Sequence, residues 1–221
     1  MKYLKYFESK TDIDAICKKY GIENYTINSD GTVDVNGNVY LNGRGLKEMP
    51  LKFGYVSGNF FCDYNFLKTL EDAPIEVGAG FYCYDNKLTS LEGGPRKVGS
   101  DFFCNDNQLT SLEGAPNKVD GSFICSYNQL TSLVGAPEEV GGNFDCINNQ
   151  LTSLVGAPEE VGGYFYCNRN PLPREILDNY KYINKIVKYQ SDYNIWRRDG
   201  TLDTYRFSDM MKEIMEEETN I

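Results

Sequence analysis

The sequence predicts a β-rich solenoid, a stack of about seven turns in which short strands from successive turns lie parallel. Three observations lead to this prediction. Cysteines recur every 21 residues from Cys62 to Cys167. A phenylalanine stands two residues before each of them, and an asparagine stands three residues after. Residues 128–142 and 149–163 are identical.

Residues 1–37 are predicted to cap the first turn. Apolar residues recur at helical spacing over residues 9–22, and Gly21 is a typical helix C-terminus, so a helix is expected there. Strands are expected at residues 25–27, 32–35 and 39–41, because Asp-Gly and Asn-Gly pairs between them favour tight turns.

Residues 38–172 contain the repeats. The Phe-x-Cys segment alternates inward and outward, so we expect one strand per turn, with Phe, Cys, two Leu and a Val of each repeat in the core. Buried free Cys behaves as a small apolar residue, which suits a tight interior position. The Asn column has donors and acceptors that can satisfy the backbone where each strand ends.

Residues 173–221 are predicted to form a C-terminal helical cap or a small effector module. Apolar residues from Ile176 to Val187 follow helical spacing, and a second helix is expected at residues 208–218 after an Asp199-Gly200 turn. Covering the open strand edges is the structural role of such a flank. If the segment acts as a module, Trp196, Arg197 and Arg198 are its candidate site.

The repeat unit Phe-x-Cys-x-x-Asn-x-Leu-x-x-Leu is similar to the leucine-rich-repeat core pattern. Its Asn-Gln-Leu-Thr-Ser-Leu segment, at 107–112, 128–133 and 149–154, resembles the short repeats of enterobacterial effector proteins and of uncharacterised tailed-bacteriophage repeat proteins. The resemblance covers residues 38–172 and implies a leucine-rich-repeat-like scaffold for protein recognition. The repeat Val lies one residue further from the strand than in the usual pattern, which implies a differently shaped back of the solenoid.

The net charge of −10 is concentrated in the repeats. Residues 59–167 carry 15 acidic and five basic side chains. Such a surface repels phosphate, so we expect no nucleic-acid partner and instead a basic or amphipathic protein partner. No signal peptide or apolar span is evident, so no membrane association is expected, and the predicted location is cytoplasmic, meaning the host cytoplasm if the protein is phage-encoded.

Catalytic signals are missing from the sequence. Without His there is no Ser-His or Cys-His pair, and no phosphate-binding glycine loop is present. The cysteines lack the close spacing of zinc ligands, and the aspartates at 63, 85 and 106 lack the spacing of a calcium loop. We therefore expect a protein that is not an enzyme and has no metal or other cofactor.

The candidate binding surface is the set of outward residues beside the inward Phe and Cys, which vary from turn to turn and combine aromatic rings with carboxylates. Its predicted members are Phe61, Asp63, Tyr64, Tyr82, Tyr84, Asp85, Phe103, Asp106, Ile124, Tyr127, Asp145, Tyr164, Tyr166 and Arg169.

Three functions stay open at this point. The first is a non-catalytic protein-binding module that binds and modulates a host protein. The second is a protein that binds or sequesters a nucleotide or another small molecule, in a pocket among Tyr82, Tyr84, Tyr127 and Asp106. The third is a passive structural repeat protein, in which aromatic residues merely suit exposed strand positions. The sequence leaves the oligomeric state open.

Overall fold

The computed structural model describes residues 10–219. Its strands form two sheets, and each complete repeat contributes one short strand to each of them. The predicted solenoid of short parallel strands is confirmed. The expectation of one strand per turn is wrong, because the Glu-Val or Lys-Val pair of each repeat forms a second strand.

In chain order the strands are β1 (Tyr25–Ile27), β2 (Val33–Val35), β3 (Val39–Tyr40), β4 (Phe53–Val56), β5 (Phe60–Phe61), β6 (Glu76–Val77), β7 (Phe81–Tyr82), β8 (Lys97–Val98), β9 (Phe102–Phe103), β10 (Lys118–Val119), β11 (Phe123–Ile124), β12 (Glu139–Val140), β13 (Phe144–Asp145), β14 (Glu160–Val161) and β15 (Phe165–Tyr166). The eight-stranded sheet contains β1, β2 and the even-numbered strands from β4 to β14. The seven-stranded sheet contains the odd-numbered strands from β3 to β15.

Neighbouring repeat strands pair in parallel with an offset of 21 residues, as in the pairing of Phe81 with Phe102. The N-terminal hairpin is confirmed, since β1 pairs antiparallel with β2. Strand β2 also pairs in parallel with β4, so the hairpin leads directly into the eight-stranded sheet.

The core is a continuous column between the sheets. The rings of the repeat Phe residues, from Phe60 to Phe165, stack with centroid distances between 5.1 and 5.6 Å. The repeat Cys from Cys62 to Cys167 are buried with them, as expected for small apolar side chains. Burial raises the pKa of these thiols, because the thiolate loses its hydration.

The Asn column holds successive turns together. The amide nitrogen of Asn107 donates to the carbonyl oxygens of Cys83 and Cys104 at 3.1 Å, and its oxygen accepts the Leu88 backbone N–H at 2.9 Å. The same pattern recurs from Asn86 to Asn170. The predicted scaffold role of the Asn column is confirmed by these bonds.

The last two repeats approach each other closely at their Gly-Gly corners. A Cβ built on Gly162 would lie 2.3 Å from the carbonyl oxygen of Gly141. A side chain at Gly162 would therefore require the two turns to shift apart locally.

The helices are α1 (Lys10–Tyr20), α2 (Arg174–Asp178), α3 (Ile183–Tyr189) and α4 (Thr204–Thr219), with a 3₁₀ helix at Tyr180–Tyr182. Residue 9, the predicted first residue of the N-terminal helix, lies outside the described residues. Helix α1 ends as predicted, since Gly21 has φ +67° and the Ile22 N–H donates to the Cys17 carbonyl at 2.9 Å.

The predicted helix through Ile176 and Val187 is two helices rather than one. The backbone leaves helical geometry at Asn179, which has φ −107° and ψ 20°. The later helix is confirmed but begins at Thr204, ahead of the predicted residue 208. The Asp199-Gly200 turn is also confirmed, because the Gly200 N–H donates to the Arg197 carbonyl at 2.9 Å.

Side chains of the C-terminal helices complete the hydrogen bonds of the last repeat strand. The Phe165 N–H donates to Asn184 Oδ1 at 3.1 Å, and Asn184 Nδ2 donates to the Gly163 carbonyl at 2.7 Å. The Cys167 N–H donates to the Tyr180 hydroxyl oxygen at 3.3 Å. In earlier turns the next strand provides such partners, so this segment occupies the position of a further turn.

Candidate functional site

An aromatic ladder runs along the outer face of the seven-stranded sheet. It consists of Tyr40, Phe61, Tyr82 and Phe103, the outward residues of four adjacent strands. Successive ring centroids lie 5.2, 4.7 and 5.2 Å apart. The first two pairs stack face to face, and the Tyr82–Phe103 pair is perpendicular. The ladder is therefore a continuous row of contacting rings, in which the stacked rings cover each other's faces.

Tyr40 is a ladder member that our sequence analysis missed. It lies 21 residues before Phe61 and pairs with it across β3 and β5. The repeat period was sufficient to locate this residue, but the first turn departs from the Phe-x-Cys pattern, which concealed it.

Beyond Phe103 the ladder is interrupted. Ile124 and Asp145 occupy the next two outward positions, and Tyr166 follows, with its ring 5.9 Å from that of Tyr164. Asp145 Oδ1 accepts the Ile147 N–H at 2.9 Å, and partial burial raises the pKa of this carboxyl. The outward aromatic residues of the strands thus form two groups, one at each end of the sheet.

A second row lies at the corner where each strand of the seven-stranded sheet ends. This corner column has φ values between 51° and 58° and comprises Tyr64, Asp85, Asp106, Tyr127, Asn148 and Arg169. All six side chains are exposed. Five of the six were predicted site residues, and the structure aligns them in successive turns.

The corner column is unusual because bulky residues adopt its left-handed backbone. Asp and Asn tolerate this conformation, but a bulky residue there is uncommon and strained. Tyr64 is 56% exposed and Tyr127 is 45% exposed, so packing in the core does not account for them. Strained residues that the core does not need are typical of functional surfaces.

Asp63 departs from the prediction of an outward surface carboxylate. Only 3% of the surface of Asp63 is exposed. Burial raises the pKa of the carboxyl, an effect opposed in part by interactions with its own backbone N–H and with the Tyr84 hydroxyl and increased by the charge of Asp85. The Tyr84 ring contacts the Tyr64 ring edge to face, with centroids 5.1 Å apart. Asp63 therefore lies beneath the surface that these two tyrosines form.

The outer face of the eight-stranded sheet carries mainly ion pairs. Lys118 Nζ lies 2.7 Å from Glu139 Oε2, and Lys97 Nζ lies 3.7 Å from Glu76 Oε2. Exposed pairs of this kind contribute little to stability. The two outer faces of the solenoid therefore differ in chemistry, one charged and one aromatic.

Two open grooves lie away from the aromatic ladder. The larger, of about 850 Å³, borders the eight-stranded sheet and includes Arg96, Lys97 and Lys118. The smaller, of about 460 Å³, is lined by Lys47, Phe66, Lys68 and Lys87. Neither groove includes the residues predicted for a small-molecule pocket, so neither favours that alternative.

Among residues 10–219, no three His, Cys, Asp or Glu side chains are grouped so as to hold a metal ion. No helix in the same range has both the length and the apolar character needed to cross a membrane.

The chain matches no protein-family model, and comparisons with curated proteins and with solved structures find no match either. The leucine-rich-repeat, effector and phage resemblances therefore stay expectations from the sequence.

Proposed function

We propose that this protein is a non-catalytic protein-binding module. Its working surface is the aromatic ladder together with the corner column. The observation that carries the proposal is the presence of exposed tyrosines at strained left-handed corners, Tyr64 at φ +54° and Tyr127 at φ +55°. Asn, Asp or Gly would fit these corners with less strain, so folding does not account for the tyrosines.

The chemistry of this surface favours a protein partner. Tyrosine presents a large, rigid and partly polar contact area, which makes it frequent among the residues that dominate protein interfaces. Phe61 stacks on the ring before it and the ring after it, so both of its faces are already covered. Flat stacking of a ligand on those faces is therefore disfavoured. Asp85 and Asp106, exposed in the same column, complement a basic or amphipathic segment.

The finer form of the proposal follows the sequence resemblance. A phage-encoded protein would use this surface in the host cytoplasm to bind and modulate one host protein. A partner of this kind is to be identified by experiment, since the repeat scaffold does not name it.

Affinity capture from a lysate of the natural host tests the proposal. Alanine substitutions at Phe61, Tyr82 or Phe103 are poorly suited to this test, because stacking makes these half-buried rings part of the folded structure. A better variant combines Tyr64→Asn and Tyr127→Asn, which removes exposed rings while Asn tolerates the corner backbone. The matched control is Tyr55→Thr, a tyrosine of 42% exposure in β4 of the eight-stranded sheet.

The proposal predicts a protein that is captured by the wild type and by the control, and is lost from the double variant. Capture that the double variant retains would place the working surface elsewhere, with the C-terminal segment around Trp196 as the next candidate. Finding no protein with any form would instead favour a small-molecule ligand or a passive structural role.

A further inference from the structure

Asp63 carries a buried polar atom that the fold does not satisfy. Its Oδ1 is buried without a hydrogen-bond partner, and no other buried side-chain nitrogen or oxygen among residues 12–219 is in this condition. Folded proteins rarely leave such an atom unpaired, because it has lost its hydration without gaining a replacement bond. An unmatched acceptor of this kind indicates a missing donor.

The surroundings of Asp63 are suited to a cation. The rings of Tyr64 and Tyr84 meet edge to face beside it, and Tyr64 is largely exposed, so its ring is the outer cover of the site. Asp85 adds a second negative charge nearby. Among the described residues, the groups that shift the pKa of the Asp63 carboxyl include no Lys or Arg. The negative charge of the site is thus not neutralised from within that part of the chain.

We propose that this site receives the ammonium group of a lysine side chain of the bound protein. Asp63 Oδ1 accepts its hydrogen bond, and the exposed Tyr64 ring contacts the cation. The inference rests on the proposed function and adds to it the identity of one anchoring residue of the partner.

The geometry favours lysine over arginine. The guanidinium group binds a carboxylate best when both oxygens are free for its planar fork. Here the Tyr84 hydroxyl already interacts with the carboxyl, and Oδ1 is the one atom shown to lack a partner. A compact ammonium group needs only one such acceptor. A divalent metal is less suitable, since no group of three ligands of the usual types occurs in the described part of the chain.

Three short peptides with blocked termini test this site without the natural partner: acetyl-Gly-Lys-Gly-amide and its arginine and norleucine analogues. Carboxyl ¹³C NMR shifts of the full-length protein would be followed during titration. We expect a saturable shift at Asp63 with the lysine peptide, binding at least about fivefold weaker with arginine, and no saturable shift with norleucine.

Asp63→Asn is expected to weaken binding of the lysine peptide by about tenfold. The matched control is Asp101→Asn, because Asp101 is half-buried and its Oδ1 is already satisfied by the Ser122 N–H at 2.8 Å. Near-ultraviolet circular dichroism would verify that both variants keep the native fold.

Unchanged lysine binding in the Asp63→Asn variant, or arginine binding as strong as lysine binding, would overturn the inference. These outcomes are separate from failure of the proposed function. If the variant with Tyr64→Asn and Tyr127→Asn still captures the partner, the protein-binding surface is refuted. If capture depends on these two tyrosines but the lysine peptide does not bind, only the lysine site is refuted.

Discussion

Replacing Asn107 by Asp tests the hydrogen-bonded column that joins the turns. The substitution keeps the oxygen that accepts the Leu88 N–H but exchanges the amide donor for a second acceptor. The carbonyl oxygens of Cys83 and Cys104, each 3.1 Å from that donor, then lose a partner inside the protein. Each carbonyl keeps one other amide donor, Asn86 at Cys83 and Asn128 at Cys104. The main cost is therefore the new carboxylate, which is buried facing both carbonyl oxygens without a donor of its own. We therefore expect a loss of about 3–5 kcal/mol in the free energy of unfolding.

Urea denaturation followed by circular dichroism would measure this loss. The control is Asn148→Asp, which makes the same chemical change at an exposed corner where Asp85 and Asp106 show that Asp is tolerated. The control should change the unfolding free energy by no more than about 0.5 kcal/mol. Acidic pH should reduce the deficit of Asn107→Asp, because a protonated carboxyl regains one donor. Equal stability of the two variants would refute the role assigned to the column.

Four other results are expected. Tyr127→Asn should raise the unfolding free energy by about 0.5–1 kcal/mol in urea denaturation, since Asn is less strained at φ +55°, and a loss of more than about 1 kcal/mol would contradict the strain argument. Asn184→Ala should lower it by about 1–2 kcal/mol by removing two bonds to the last repeat strand, whereas no change would show that these bonds are not needed. Native Cys104 should not react with a thiol reagent at pH 8 but should react in urea, because burial raises its pKa, and rapid native labelling would contradict its burial. Burial raises the pKa of the Asp63 carboxyl above its unfolded value, so its contribution to stability is present at acidic pH and is lost as pH rises through the raised pKa. Asp63→Asn should therefore stabilise the protein at pH 7 more than at pH 4, and the same effect at both values would contradict this assignment.

The repeat period was sufficient to predict most of the scaffold. An interval of 21 residues fixes which side chains stack, so the columns of Phe60 and Asn65 and the burial of Cys62 follow from the sequence. The second strand was missed because a two-residue strand such as Glu76–Val77 has no alternation to reveal it. Its pairing depends on the neighbouring turns.

Other features depend on contacts that no local pattern encodes. The break at Asn179 interrupts an otherwise regular helical spacing, and it brings Tyr180 and Asn184 to the last strand. The burial of Asp63 depends on a tyrosine of the following turn, and nothing in the local sequence indicates it. The left-handed backbone at Tyr127 was equally hidden, because Tyr does not favour that conformation.

Site-specific photo-cross-linking in the natural host tests most directly whether the surface formed by the aromatic ladder and the corner column binds a protein. A photoreactive phenylalanine analogue would replace Tyr127 in one form of the protein and Tyr55 in another, so that each sheet is probed from a tyrosine position of similar exposure. Our account predicts a single discrete protein adduct from position 127 and none from position 55. Adducts from position 55 alone, or from neither position, would contradict it.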